Sequence, residues 1–234
     1  MCYRHLVEPN GSSGRDALVN SARRLFAEQG IEAVSLREVA RAAGHRNTNA
    51  VQYHFGDRHT LLVAVVEPFE HDVGERRAAL VDMLATEPVP SMRSIAGALV
   101  RPSAAMLETH DGRDHLRIVA ELIVDMDGFT AALGTADNSL GHWDRVARAN
   151  MADTTLPLHR RYAAISLCFT ELGRRAASRR RPDHRLFVSD LIDLVAGVLQ
   201  ADVSEETQRL LTERDRQRES KDSATSTTTA RTSA

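Results

Sequence analysis

The chain has 234 residues, of which 42% are hydrophobic and only 4% are aromatic, and its formal net charge is −2. This composition is typical of a globular protein with an aliphatic core, and no apolar run approaches the roughly 20 residues that a transmembrane helix needs. Cys2 and Cys168 are too few for a disulfide scaffold or a zinc site, and Cys168 is expected to be a small core residue. Because the first thirteen residues are polar and lack a signal-peptide core, we expect a cytoplasmic protein.

Nearly every segment has the periodicity of an amphipathic helix, and no alternating strand pattern is evident. We therefore predict an all-α fold of about nine helices, with a three-helix N-terminal helix-turn-helix domain ahead of a larger helical domain. The predicted organisation is a flexible arm (1–13), the N-terminal domain (14–62), the larger domain (63–212) and a disordered Ser/Thr-rich tail (213–234).

The first predicted helix covers about 14–29 and ends at a glycine. Ser35 and Glu38 have the spacing of a capping box, so a second helix is expected to begin directly after Ser35. Val34 and Val39 occupy the positions of a hydrophobic staple around that cap. These signals predict a short second helix packed against the first.

Gly44 follows only a few residues later and predicts a tight turn. A third short helix is then expected over 48–54, with Asn47 as its N-cap. A helix, a capped short helix, a glycine turn and another short helix form the layout of a helix-turn-helix DNA reader.

A long fourth helix is predicted over 58–84, with Asp57 as its cap. Pro68 lies inside it and is expected to bend it, either as a hinge between the two domains or merely around the core. Further helices are predicted over 91–109, 113–126, 139–152, 157–180 and 184–200, with Gly112 in a gap between two of them.

The N-terminal stretch resembles the DNA-binding domain of the tetracycline-repressor (TetR) family over about fifty residues. This chain departs from the commonest family pattern by one extra residue between Gly44 and Phe55, and it has His45 and Arg46 where a small apolar residue is usual. The resemblance implies a dimeric regulator of transcription. It also implies a repressor that a ligand releases, because most relatives act in this way. The features that carry the resemblance are Leu25-Phe26, Gly30, Ser35 to Ala40, Ala43-Gly44, Tyr53-His54-Phe55 and Leu61-Leu62.

The resemblance also implies which side chains contact operator DNA. Arg pairs with guanine and Asn or Gln with adenine in the major groove, so the candidate base readers are Arg46, Asn47, Asn49 and Gln52. Thr48 is a candidate for a thymine methyl group or a phosphate, and the candidate phosphate anchors are Arg37, Tyr53, His54 and Arg58. The alternatives are a purely capping Asn47, solvated surface charges at Arg37 and Arg58, and a His54 that packs against Phe55.

Two late helices, 157–180 and 184–200, have apolar stripes wider than one core face requires. By resemblance they form a four-helix interface in a homodimer, with burial inside one subunit as the alternative. The predicted interface residues are Tyr162, Ile165, Phe169, Phe187, Leu191, Leu194, Val195 and Val198.

An effector pocket is expected among the central helices, where large adaptable apolar side chains suit a small apolar ligand. Glu121, Asp125 and His142 are polar groups that would orient such a ligand, with exposure to solvent as the alternative. The predicted ligand contacts are Met106, Leu122, Met126, Phe129, Trp143 and Met151, and ordinary core packing is the alternative for each.

No nucleophile elbow, metal-binding histidine motif or phosphate-binding glycine loop is present in the sequence. We therefore predict no enzymatic activity, cofactor or metal. The remaining alternatives to a ligand-released repressor are an activator and a helical ligand-binding protein that does not bind DNA.

Overall fold

The computed structural model describes residues 14–45, 47, 49–124, 139–178 and 183–232. Within these residues it has ten α-helices, two short 3-10 helices (Ala105–Glu108 and Asp153–Thr155) and no strand, so the predicted all-α fold is confirmed. None of these helices combines the length and hydrophobicity that a membrane span requires. In chain order the α-helices are α1 (Gly14–Gln29), α2 (Leu36–Ala42), α3 (Ala50–Phe55), α4 (Arg58–Ala85), α5 (Met92–Ala104), α6 (His110–Leu122), α7 (Ser139–Ala149), α8 (Arg160–Ala176), α9 (His184–Gln200) and α10 (Glu205–Thr232).

The predicted cap of α2 is present in full. The Ser35 hydroxyl accepts a hydrogen bond from the Glu38 backbone N–H (3.2 Å), and the Glu38 carboxylate accepts one from the Ser35 N–H (2.7 Å). The hydrogen bonds that the Glu38 carboxylate accepts from the Ser35 N–H and from the Ser35 hydroxyl hold the pKa of this exposed group below its usual value. Val34 and Val39 are both buried beside the cap, as a hydrophobic staple requires. The position of α2 is therefore set by residues within five positions of its start.

The predicted start of α3 is wrong by two residues. Asn47 does not cap the helix, because its side-chain oxygen accepts a hydrogen bond from the Asn49 backbone N–H (2.9 Å) and closes an Asx turn. The helix begins at Ala50, and Asn49 stands at the N-cap position without a side-chain bond. A competing local turn has displaced the helix start.

The start of α6 also differs from the prediction. Thr109 caps the helix by accepting from the Gly112 backbone N–H (3.0 Å), so Gly112 lies in the first turn of α6 and not in a gap. A Cβ at Gly112 would lie 2.3 Å from the Met106 carbonyl oxygen. Glycine is needed here because the preceding 3-10 turn folds directly over the helix.

The segment after α9 differs from the predicted disordered tail (213–234), because α10 extends from Glu205 to Thr232. Ser204 accepts from the Thr207 backbone N–H, and Glu205 and Glu206 place negative charge in the first turn. Acidic residues at a helix start and the absence of Gly and Pro favour a helix. The predicted arm (1–13) lies outside the described residues.

Candidate DNA-binding surface and its link to the helical body

Helix α3 has one buried and one exposed face. Val51 and Phe55 are buried against the rest of the N-terminal domain. Gln52, Tyr53 and His54 are exposed, and 86% of the Tyr53 surface is accessible. The exposed Tyr53 hydroxyl and Gln52 amide can both donate and accept hydrogen bonds, so this face is suited to contact with phosphates and base edges.

The other described candidates for DNA contact lie beside α3. Asn47 and Asn49 are exposed just before the helix, and Arg37 is exposed on α2. The Asn47 side-chain amide remains available, since only its oxygen is used in the turn. Arg46 and Thr48 lie outside the described residues.

His45, in the turn that precedes α3, contacts the start of α1. A ring nitrogen of His45 lies 3.2 Å from the Gly14 carbonyl oxygen, within hydrogen-bonding distance. The centroids of the His45 and His54 rings are 6.4 Å apart. The centroids of the His54 and Tyr53 rings are 5.1 Å apart, and these two rings meet edge to face. His45 was not among the predicted site residues, yet it connects the start of α1 to the exposed face of α3.

Arg58 is directed into its own domain. Its guanidinium donates to the carbonyl oxygens of Ile31 (2.5 Å) and Val34 (2.6 Å) in the loop between α1 and α2. Hydrogen bonds with a charged donor are stronger than those between neutral groups. Arg58 therefore holds the start of α4 to the helix-turn-helix, and this contact does not support the predicted role as a phosphate anchor.

The same loop is held from the other side by α6. The Glu121 carboxylate accepts a hydrogen bond from the Ile31 backbone N–H, and its two oxygens lie 3.0 and 3.1 Å from the Ile31 nitrogen. Gly30 precedes this contact at φ 93°, a left-handed conformation that favours glycine. Glu121 was predicted to orient a ligand, and in the structure it joins the body to the N-terminal domain.

A second contact between the domains is made by Arg23 of α1. Its guanidinium pairs with Asp111 of α6 at 2.7 Å and lies over the Phe69 ring of α4, 5.4 Å from the ring centroid. Phe69 in turn stacks on the His115 ring of α6 at 4.9 Å. This series of contacts leads from α1 into the interior of the body.

A buried pair, Glu70 of α4 and His115 of α6, lies at the end of this series of contacts. The Nε2 atom of His115 is 2.8 Å from a carboxylate oxygen of Glu70. Burial alone would raise the pKa of Glu70, but the hydrogen bond from His115 and the charges of His115 and Arg77 lower it overall. The second carboxylate oxygen of Glu70 and Nδ1 of His115 have no hydrogen-bond partner among the described residues. The sequence did not predict this pair, because the two residues are 45 positions apart.

Comparison with known proteins agrees with this geometry. Residues 18–65 match the family model described as bacterial regulatory proteins, tetR family. The N-terminal domain of the chain is therefore a TetR-family domain. It is 26% identical over 137 residues to the HTH-type transcriptional regulator AcrR of Shigella flexneri, a match that covers 56% of this chain and 60% of the relative. Beyond the helix-turn-helix domain, sequence likeness is therefore partial.

Two solved structures show that the TetR-family fold extends through the body. A TetR-family transcription regulator from Shewanella sp. PV-4 has a TM-score of 0.55 at 12% identity, covering 79% of this chain and 96% of the other. NalD of Pseudomonas aeruginosa, the secondary repressor of the MexAB-OprM multidrug efflux pump, has a TM-score of 0.50 at 21% identity, covering 81% and 97%. At these identities the likeness is one of fold.

The apolar stripes of the helical body divide into a core part and an outward part. Ile165, Phe169, Leu191 and Val195 are buried within the single chain, so the alternative of internal burial holds for these four. Tyr162 and Leu194 are exposed, and Phe187 and Val198 are half-buried. Helical spacing alone does not tell which residues of so wide a stripe are buried in the core and which lie on the outward face.

The predicted ligand contacts that the structure describes do not all line one described cleft, and Asp125 lies outside the described residues. Trp143 is fully buried and donates to the Ile95 carbonyl oxygen (2.8 Å), which fastens α7 to α5. Met151 lines a cleft of about 310 Å³ with Met92 and Leu199. Met106 is buried, Leu122 is half-buried, and neither they nor Trp143 line this cleft; Met126 and Phe129 lie outside the described residues.

Proposed function

We propose that this chain is a dimeric, sequence-specific DNA-binding regulator, and specifically a repressor that a small effector releases from a palindromic operator. The observation that carries this proposal is the exposed polar face of α3, supported by a fully capped α2. Phosphate contacts position a protein on the duplex and base-edge contacts give specificity. We assign base reading to Asn49 and Gln52, and phosphate anchoring to Arg37, Tyr53 and His54.

A palindromic operator requires two copies related by a twofold axis. The outward faces of α8 and α9 are suited to this contact, because they combine apolar and small residues that are exposed in the single chain. We therefore propose an interface that differs in part from the one expected from the sequence. Its exposed members are Tyr162, Ala163, Thr170, Leu186, Leu194 and Gly197.

Release by an effector requires that the body and the reader be coupled. Helix α6 contributes to both, since Glu121 and Asp111 contact the DNA-binding domain and His115 lies in the body core. An effector that shifts α6 would strain the Glu121 contact with Ile31 and change the orientation of α3. The partnerless polar atoms of Glu70 and His115 favour an apolar effector that also carries a hydrogen-bonding group.

Selection of tight-binding duplexes from a random DNA pool, at near-physiological salt, tests this proposal. We expect a single palindromic motif, because two copies of α3 would read two half-sites. A Tyr53→Ala variant provides the comparison and is expected to lose the enrichment while keeping the helical content of the native chain. If the folded protein enriches no motif, the proposed function is wrong.

A further inference from the structure

A groove of about 370 Å³ lies between α5 and α9, away from the DNA-binding surface. Its apolar part is formed by Ala104, Ala105, Val188 and Ile192. This volume is within the range of small-molecule sites, in which apolar walls carry most of the contact area. The groove is open to solvent, so a ligand would enter it without a conformational change.

Positive side chains surround this apolar strip. Arg93, Arg101 and Arg185 line the groove together with His184, whereas Glu108 is the one acidic lining residue. The electrostatic potential of this region therefore favours a negatively charged group.

Two of these guanidinium groups are available to a ligand. Arg93 is engaged, since it pairs with Asp193 and donates to the Ser189 hydroxyl (2.9 Å). The side chains of Arg101 and Arg185 make no hydrogen bond or ion pair with any residue that the structure describes. A guanidinium presents a planar pair of donors that matches a carboxylate or phosphate in two parallel hydrogen bonds.

The groove is separate from the proposed dimer interface. Arg185, Val188 and Ile192 are on the face of α9 that meets α5. Leu186, Leu194 and Gly197 are on the outward face of the same helix. Dimerisation through the outward face would leave the groove accessible in each subunit.

We propose that the groove between α5 and α9 binds an amphipathic anion, with a carboxylate or phosphate held by Arg101 and Arg185 and an apolar chain lying on Val188 and Ile192. This site is distinct from the Glu70–His115 pair, whose ionised carboxylate would repel such a ligand. It does not depend on the proposed function, because binding is measured without DNA.

Calorimetric titration of the full chain with decanoate tests the site. Decanoate is expected to bind, and acetate and decyltrimethylammonium are not, because the first lacks the apolar chain and the second carries the opposite charge. Arg101→Gln with Arg185→Gln should weaken decanoate binding at least about tenfold, since two charge-assisted contacts are lost. Arg148→Gln, at an exposed arginine on α7, is the matched control and should leave the affinity unchanged.

Hydrogen exchange locates the ligand independently. Decanoate should slow amide exchange over 184–192 and 101–105 in the native chain and in Arg148→Gln, but not in the double variant. Equal decanoate affinity in the double variant, or no binding to the folded native protein, would overturn the proposal. Motif selection from the DNA pool is expected to succeed in all three proteins, so failure of the groove and failure of the DNA-binding proposal are separable.

Discussion

At the scale of single residues, the N-terminal domain is held together by polar contacts between residues that are close in the sequence and between residues that are far apart. Ser35 and Glu38 are three positions apart, and their spacing alone predicts their hydrogen bonds. Arg58 and Glu121 act on carbonyl and N–H groups 24 to 90 positions away, and no spacing rule relates them. The sequence therefore predicted that both residues are functional polar groups, but it did not predict these partners.

Cys168 gives a prediction at this scale. The residue is fully buried, as expected, and burial raises the pKa of its thiol to about 12. Because the thiolate is the reactive form, only about one thiol in ten thousand would be ionised at pH 8. We expect no alkylation of Cys168 by iodoacetamide at pH 8 in the native protein and complete alkylation in denaturant, measured by peptide mass spectrometry. Native-state labelling of Cys168 at the rate of a free cysteine would contradict the buried position of this thiol.

At the scale of helices, several bounds agree with the caps and breakers in the sequence, whereas others depend on a competing local turn or on packing. Helices α1 and α9 have the predicted bounds, and α4 begins at the predicted cap, where Asp57 accepts from the Thr60 backbone N–H (2.8 Å). The start of α3 was wrong because an Asx turn competes with the helix cap. The stripes of α8 and α9 could not be divided into core and surface, since periodicity does not tell which neighbour covers a face.

The crossing of α6 and α8 gives a prediction at the scale of helices. A Cβ at Gly173 would lie 2.3 Å from the Ala120 Cβ, a separation that packed helices do not tolerate. Gly173→Ala should therefore lower the free energy of unfolding by about 1–3 kcal/mol, as overpacking does. Urea denaturation measures this change.

Ala120→Gly provides the matched partner for a double-mutant cycle. On its own it should cost about 1 kcal/mol, as glycine does within a helix. Combined with Gly173→Ala it should be less destabilising than the sum of the two single changes, because the clash is relieved. Simple additivity would show that the two helices do not approach each other as closely as the structure has them.

At the scale of the whole molecule, the DNA-binding domain is joined to the body through α4 and α6. Arg58 anchors the start of α4 to the loop between α1 and α2, and Glu121 holds the same loop from α6. Pro68 lies within α4, between Arg58 at the start of the helix and the part of the helix in the body. Because proline has no backbone N–H, the helix lacks one hydrogen bond at this position. Movement of either helix would therefore be transmitted to the domain that carries α3.

The Glu121 contact predicts a change in local stability. Glu121→Ala removes the acceptor of the Ile31 N–H, so amide exchange at Ile31 should be accelerated about fivefold or more, corresponding to about 1 kcal/mol for a partly exposed hydrogen bond. Glu32→Ala, at an exposed residue of the same loop, is the control and should leave this rate unchanged. Exchange at Ile31 that is the same in both variants would show that Glu121 does not hold the loop.

The outward face of α9 leads to a prediction about the proposed dimer. Leu194 is 50% exposed in the single chain, and Leu194→Asp should convert the proposed dimer to a monomer because it places a charge in an apolar contact. Leu210 of α10 is 51% exposed and outside the proposed interface, so Leu210→Asp is a matched control. Sedimentation velocity measures the outcome, and a Leu194→Asp protein that remains dimeric would contradict the proposed interface.

The central claim is that the exposed face of α3 reads DNA sequence, and a comparison of two glutamines tests it most directly. Gln52 is exposed on α3 and Gln29 is exposed at the end of α1. Their alanine variants would be titrated, with the native chain, against the duplex selected from the random pool and against a scrambled duplex. A base contact contributes about 1–3 kcal/mol of discrimination, so Gln52→Ala should lose about tenfold or more in affinity for the selected duplex and little for the scrambled one, while Gln29→Ala behaves as the native chain. Equal affinities of all three proteins for the selected duplex would contradict base reading by Gln52 from α3.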